Sequence, residues 1–141
     1  MMGLVQLIYL SDLAAKDESE IAPILKSAVK HNSKNGITGM LLYSGGNFLQ
    51  VLEGEKAAVD ETYARICRDP RHRNTVLLTE EPVTERHFAN WQMGYRQLGA
   101  KHAASLPRYA PYFQFGFNTD AIRAKPGVAL EMLELFSQNM L

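Results

Sequence analysis

The stretch "GGNFLQVLEG", residues 45–54, has the alternation of a strand that starts from a tight turn, with one residue out of keeping. Counting in twos from Phe48 places Gln50 and Leu52 on one face, so an uncharged amide lies between an aromatic and a leucine. A buried primary amide brings two N–H donors and a carbonyl acceptor, and each left unpaired costs on the order of 1–3 kcal/mol. Another side chain, a water or a ligand with its own donors and acceptors must therefore meet Gln50.

Working outward, "GITGMLLY" (36–43) reads as a second strand, and "SGGN" between the two is the short glycine-bearing turn that closes a hairpin. Upstream, "LVQLIYLS" (4–11) is a β-rich run containing Tyr9. "DESEIAPILKSAVKHN" (17–32) then changes period from two to three and four. Its Ile21, Ile24, Leu25, Ala28 and Val29 form one apolar stripe, led by acidic residues and trailed by Lys30 as the helix dipole favours. Pro23 falls in the first turn, where its missing N–H is not needed. Asn32 continues the stripe, so a second amide faces inward.

Downstream, "EKAAVDETYARICRDP" (55–70) carries Val59, Tyr63 and Ile66 at helical spacing, with Arg65 beside them, and stops at Asp69-Pro70. "NTVLLTEEPV" (74–83) is a fourth strand, "TERHFANW" a connection with one helical turn, and "WQMGYRQL" (91–98) a fifth strand that would set Trp91, Met93 and Tyr95 on one face. The leading order βαββαβ is the ferredoxin-like arrangement, an α+β fold with two helices on one face of the sheet. From Gly99 prolines and aromatics accumulate, and "PGVALEMLELFSQNML" (126–141) is a helix apolar over most of its circumference. It must be covered by the free face of the sheet or by another subunit. Residues 1–98 are thus expected to form the domain, and 99–141 a C-terminal helical extension.

Bulk properties narrow the function classes. Lys plus Arg and Asp plus Glu number 15 each, so no net field draws the protein to nucleic acid or to an anionic membrane. Cys67 is the single cysteine, which excludes an internal disulfide and a multi-cysteine metal site and fits a cytoplasmic location. His87 and His102 show no metal spacing. The N-terminus lacks the basic n-region of a signal peptide, and no apolar run approaches the roughly 20 residues that span a bilayer.

Three inward polar residues, Tyr9, Asn32 and Gln50, need a common explanation. In a βαββαβ sheet the first and third strands are central neighbours, so Tyr9 and Gln50 lie side by side beneath the cleft between the helices. With "LIYLS", "HNSKNGITGMLLY", "NFLQVLEG", "DPRHRN" and "WQM" in this order, the chain resembles the BLUF domains, which sense blue light with a flavin. The resemblance covers roughly residues 4–97.

It implies a flavin held between the two helices: FAD, with FMN or riboflavin as alternatives. Ile24, Leu25 and Ile66 would then face the ring with Phe48 nearby, Asn32 would bond its polar edge, and Gln50 would lie between that edge and the Tyr9 hydroxyl. Arg65, Arg71 and His72 match the ribityl and phosphate side. Many members have asparagine where this chain has His31, whose role stays open. By the same resemblance Tyr9 donates an electron and proton on excitation, Gln50 rearranges its hydrogen bonds, and Trp91 and Met93 carry the change toward the C-terminal helices. Nothing around Cys67 suggests a flavin adduct.

With residues 99–141 too few for a cyclase or phosphodiesterase, the expectation is no enzyme but a photoreceptor that forms homo-oligomers and signals through a separate effector or regulator protein. A small acyl-phosphate hydrolase of this fold would need an arginine-bearing anion loop after the first strand, where "YLSDLAAKDE" offers acids. A metabolite-binding regulatory module without photochemistry is the alternative.

Overall fold

A computed structural model describes residues 3–14, 18–114 and 116–138. The hairpin is formed by β2 (Thr38–Ser44) and β3 (Asn47–Glu55), and Gly45 and Gly46 turn it with φ of 50° and 98°. Positive φ at both central residues is what a two-residue hairpin turn matching strand twist requires. β1 (Leu4–Leu13) pairs antiparallel with β3 and, on its other side, with β4 (His72–Val83). β5 (Gly94–Gln97) pairs parallel with β2, so the sheet order is β4-β1-β3-β2-β5. The tyrosine and glutamine strands are therefore neighbours at the centre.

Helices α1 (Ile21–Asn35) and α2 (Lys56–Arg68) cover one face. Ile21, Ile24 and Val59 pack there with Leu7, Tyr9, Leu41, Phe48 and Leu52. α1 ends on Gly36, at φ 67°, whose N–H bonds the carbonyl of Asn32. The stripe is narrower than its spacing suggests: Val29 is 40% exposed, because it lies at the edge turned from the sheet.

The chain after β5 covers the other face. It runs through α3 (Ala100–Ser105), a 3-10 segment (Pro107–Tyr112), the two-residue strands β6 (Phe113–Gln114) and β7 (Gly116–Phe117), and α4 (Thr119–Ala124) into α5 (Gly127–Gln138). The last three residues of the expected final helix lie outside the described ones. α5 sets Ala129, Met132, Leu133 and Phe136 against Leu42, Leu49 and Val51, so its apolar circumference is covered by the chain's own sheet. Arg96 on β5 donates to the Phe136 carbonyl at 3.2 Å, and its guanidinium lies 5.4 Å from the Phe136 ring centroid.

Two expectations around the fifth strand need correcting. The ladder begins at Gly94, not at Trp91, and residues 84–93 contain bends and a turn but no helical turn. The reason lies in the partners of residues 91 and 92. The Trp91 carbonyl accepts from Gly39 N–H at 3.1 Å and the Gln92 carbonyl from the Asn32 side chain at 2.6 Å, an arrangement of loop contacts in place of a regular ladder.

Candidate functional site

Tyr9 and Gln50 are direct register partners across β1 and β3. A bulge in the β1–β4 pairing falls between Ile8 and Tyr9, where such irregularities re-aim side chains. Tyr9 is 0% and Gln50 3% exposed. The Tyr9 hydroxyl donates to Oε1 of Gln50, and Nε2 of Gln50 donates to the Met93 sulfur at 3.2 Å. Side chains thus meet one acceptor and one donor of the amide. Its second N–H is left for the cavity that Gln50 lines.

Burial raises the Tyr9 pKa well above the ordinary phenol value, and Tyr63, Cys67 and Asp69 add to the effect. The proton therefore stays on the phenol at any physiological pH. The Tyr63 ring lies 5.3 Å from that of Tyr9, and burial pushes its own hydroxyl up to about 12.

The cavity opens between α1 and α2 and encloses about 510 Å3, counting its mouth. Ile24 and Ala28 of α1 and Ile66 of α2 supply apolar walls, and Leu41, Gln50 and Leu52 of the sheet form the floor. Two apolar helix faces over a strip of sheet suit a flat aromatic group, and the amides of Gln50 and Asn32 suit its polar edge. Asn32 is 2% exposed, and its amide carbonyl oxygen is free to accept because only Nδ2 is used, on Gln92.

Arg65, Asp69, Arg71 and His72 line one end. Arg71 grips Asp69 through Nε at 3.0 Å and Nη2 at 2.7 Å, which holds the Asp69 carboxyl below the usual carboxylate range. His72 exchanges a hydrogen bond with Ser11 Oγ at 2.9 Å, and burial lowers its pKa. An anionic or polyhydroxylated tail finds cations and donors here. The residues present fit a flavin.

Of the residues singled out from sequence, Ile24, Asn32, Gln50, Arg65, Ile66, Arg71 and His72 line the cavity. Tyr9, Phe48 and Met93 stand behind the lining: Tyr9 and Met93 touch Gln50, and Phe48 packs on Tyr43 and His72. Leu25 packs against the core of that face without lining the cavity. Trp91 is the correction. It packs against the core beneath α5, on the side of the sheet opposite Met93, so these two side chains do not share a face. With residues 91–93 irregular, the alternation that put them together does not apply.

His31 and Thr62 form a contact that the sequence does not announce. His31 Nε2 and Thr62 Oγ1 meet at 3.0 Å, joining α1 to α2 at the cavity. Only the placement of the two helices brings them together, and the local pattern carries no sign of it. Among the described residues no group of three or more His, Cys, Asp or Glu could hold a metal, and no helix is long and apolar enough to cross a membrane.

A family model described as sensors of blue light using FAD matches residues 4–94. The photoactivated adenylate cyclase subunit beta of Euglena longa is 34% identical over 94 residues, which are 64% of this chain and 11% of that protein. The blue light- and temperature-regulated antirepressor BluF of Escherichia coli is 36% identical over 86 residues, 60% of this chain and 21% of that protein. The chain thus spans between about a tenth and a fifth of the length of these curated relatives. The dark-state structure of the BLUF protein BlrB superposes with a TM-score of 0.67 at 36% identity, covering 79% of this chain and 81% of that one.

Proposed function

The chain belongs to the BLUF family, sensors of blue light using FAD, and on that premise we propose that it is a photoreceptor in which Tyr9 and Gln50 form the switch. The observation that carries this reading is the buried chain of contacts from the Tyr9 hydroxyl through the Gln50 amide to Met93, which reaches the interhelical cavity at Gln50. When bound, the flavin supplies absorption of blue light and, once excited, a strong oxidant.

Tyr9 is the electron donor. A phenol whose proton is held by burial can give up an electron only as that proton leaves, and the hydrogen bond to Gln50 Oε1 is its exit. Gln50 takes the proton at Oε1. Because donor and acceptor share one planar amide, rotation or tautomerisation reverses its pattern toward the cavity with little change of shape. Electron and proton return to Tyr9 afterwards, and the rearranged amide is what remains. Its N–H no longer serves Met93 as before, so the change passes to residues 91–93, to β5 and to the C-terminal helices.

Ile24 and Ile66 would clamp the ring, Asn32 and Gln50 would bond its polar edge, and Arg65, Arg71 and His72 would meet the tail, with Leu25 and Phe48 supporting them. FAD is the form expected from the family description. Output goes to a separate protein, a reading supported by the name antirepressor borne by the Escherichia coli relative. Residues 99–141 serve as the output extension.

The test is optical. Protein purified from a flavin-replete host is expected to be yellow and to shift its absorption to the red under blue light, reverting in the dark. A folded protein without colour, or a yellow one without the shift, overturns the reading.

A further inference from the structure

The loop that brings Met93 to Gln50 is held by a carboxylate that no step above uses. Glu53 lies three residues after Gln50 on β3, on the opposite face, and is 0% exposed. Its oxygens accept from Gln6 Nε2 at 2.8 Å and from the backbone N–H groups of His87 at 3.0 Å and Phe88 at 2.8 Å. All three neighbours are donors, which an acceptor-only carboxylate satisfies and an amide cannot. Beside it, Arg86 donates to Thr38 Oγ1 at 2.8 Å, to the Glu53 carbonyl at 3.0 Å and to the Gly36 carbonyl at 2.7 Å. One guanidinium therefore joins the end of α1, the start of β2 and the end of β3.

A buried charge is weak support for stability, since an apolar residue of the same size often serves as well. What Glu53 and Arg86 do achieve is to fix residues 86–88 on the sheet. Only residues 89–93 then separate this anchor from β5, and they make the contacts to both cavity amides. The Gln92 carbonyl accepts from Asn32, and the Met93 sulfur from Gln50.

We propose that Glu53 and Arg86 are positioning residues of the switch. By pinning residues 86–88 they hold Met93 and the Gln92 carbonyl against Gln50 and Asn32, and they thereby set how fast the rearranged Gln50 returns in the dark. The kinetic half rests on the photoreceptor reading above; the pinning rests on the geometry alone. With the anchor released, the loop follows the rearranged amide and stabilises that state, so return slows.

The experiment uses flavin-loaded full chain carrying Glu53→Gln, whose amide must turn an N–H toward a donor, or Arg86→Ala, half-buried and tolerant should the first variant not fold. Ile122→Val, a truncation in α4 outside the loop, is the stability control. Dark recovery after a blue pulse and backbone amide exchange at His87, Phe88 and Gly39 are measured for each. Either clamp variant is expected to recover on the order of fivefold more slowly, the factor one net hydrogen bond is worth, with faster exchange at those amides, while Ile122→Val matches wild type in both. Wild-type recovery and exchange in the clamp variants, or an equal change in the control, overturns the proposal. A wild-type chain with no red shift sinks the photoreceptor reading and the kinetic half with it, while exchange at His87 and Phe88 still decides the pinning.

Discussion

Tyr9 and Gln50 stand opposite each other in the β1–β3 ladder, and the phenol donates to the amide inside the core that α1 and α2 cover. Gln50→Leu keeps the apolar walls of the cavity and removes the relay. Flavin is expected to remain bound while the light-induced red shift disappears. The orphaned Tyr9 hydroxyl should lower stability by about 1–3 kcal/mol. A photocycle of normal shape in this variant would remove Gln50 from the mechanism.

Tyr9→Phe deletes the donor and keeps the ring. It too should bind flavin, yet form no red-shifted product, and illuminated samples should stay at the dark spectrum. Absorbance titration gives an independent check on the wild type. Tyr9 should remain protonated well beyond the ordinary phenol value of about 10 and release its proton only on unfolding.

Met93→Leu and Trp91→Phe should behave differently because they lie on opposite sides of the sheet. The leucine conserves volume, so it costs less than about 1.5 kcal/mol, but it takes the acceptor from Gln50 Nε2 and should change the dark-recovery rate. Trp91→Phe thins the core under α5 and should lower the melting temperature while leaving the red shift in place. Equal effects of the two on recovery would contradict this division of roles.

Acid stability should depend on His72. Burial lowers its pKa, Asp69 opposes this and Arg71 adds to it. Near and below pH ~6.5 the unfolded chain takes up a proton that the folded site resists. Stability therefore falls as pH drops from about 6.5 to the folded value, and is unaffected by this group above that window. In His72→Gln the drop in urea midpoint between neutral pH and about pH 5.5 should shrink, leaving the part due to His31 and His102, whose values are also lowered. A drop as large as in the wild type would exclude His72 as its source.

Arg96→Ala removes both the hydrogen bond to the Phe136 carbonyl and the cation above its ring. The loss should be on the order of 1–2 kcal/mol. It should also loosen the end of α5, seen as faster amide exchange there, while the red shift and its yield stay at wild-type values. Loss of the red shift instead would place Arg96 in the chromophore site.

The central part of this architecture is legible in the amino-acid sequence. Alternation around Phe48, Gln50 and Leu52 places an amide inside, and the βαββαβ order puts Tyr9 beside it because those strands are neighbours in that topology. Asn32 can be placed because helical spacing runs unbroken from Ile24 to the residue four before the Gly36 cap. Residues 91–93 cannot. "WQMGYRQL" has strand period throughout, and only the tertiary fact that Asn32 takes the Gln92 carbonyl shows where the ladder stops. The His31–Thr62 contact and the buried Glu53 anchor escape for the same reason: each is made by segments more than 30 residues apart. The position of α5 is open between two coverings, since an apolar helix is equally content on any apolar surface.

That α5 lies on β2 and β3 has a mechanical consequence. The sheet is a diaphragm between an open cleft floored by Gln50 and a packed layer that rests on its strand neighbours Leu49 and Val51. Close-packed interiors hardly compress, so a displacement on one side has to be taken up as travel on the other. A body pressed on that side would meet the helix first, and Leu49 and Val51 only through it.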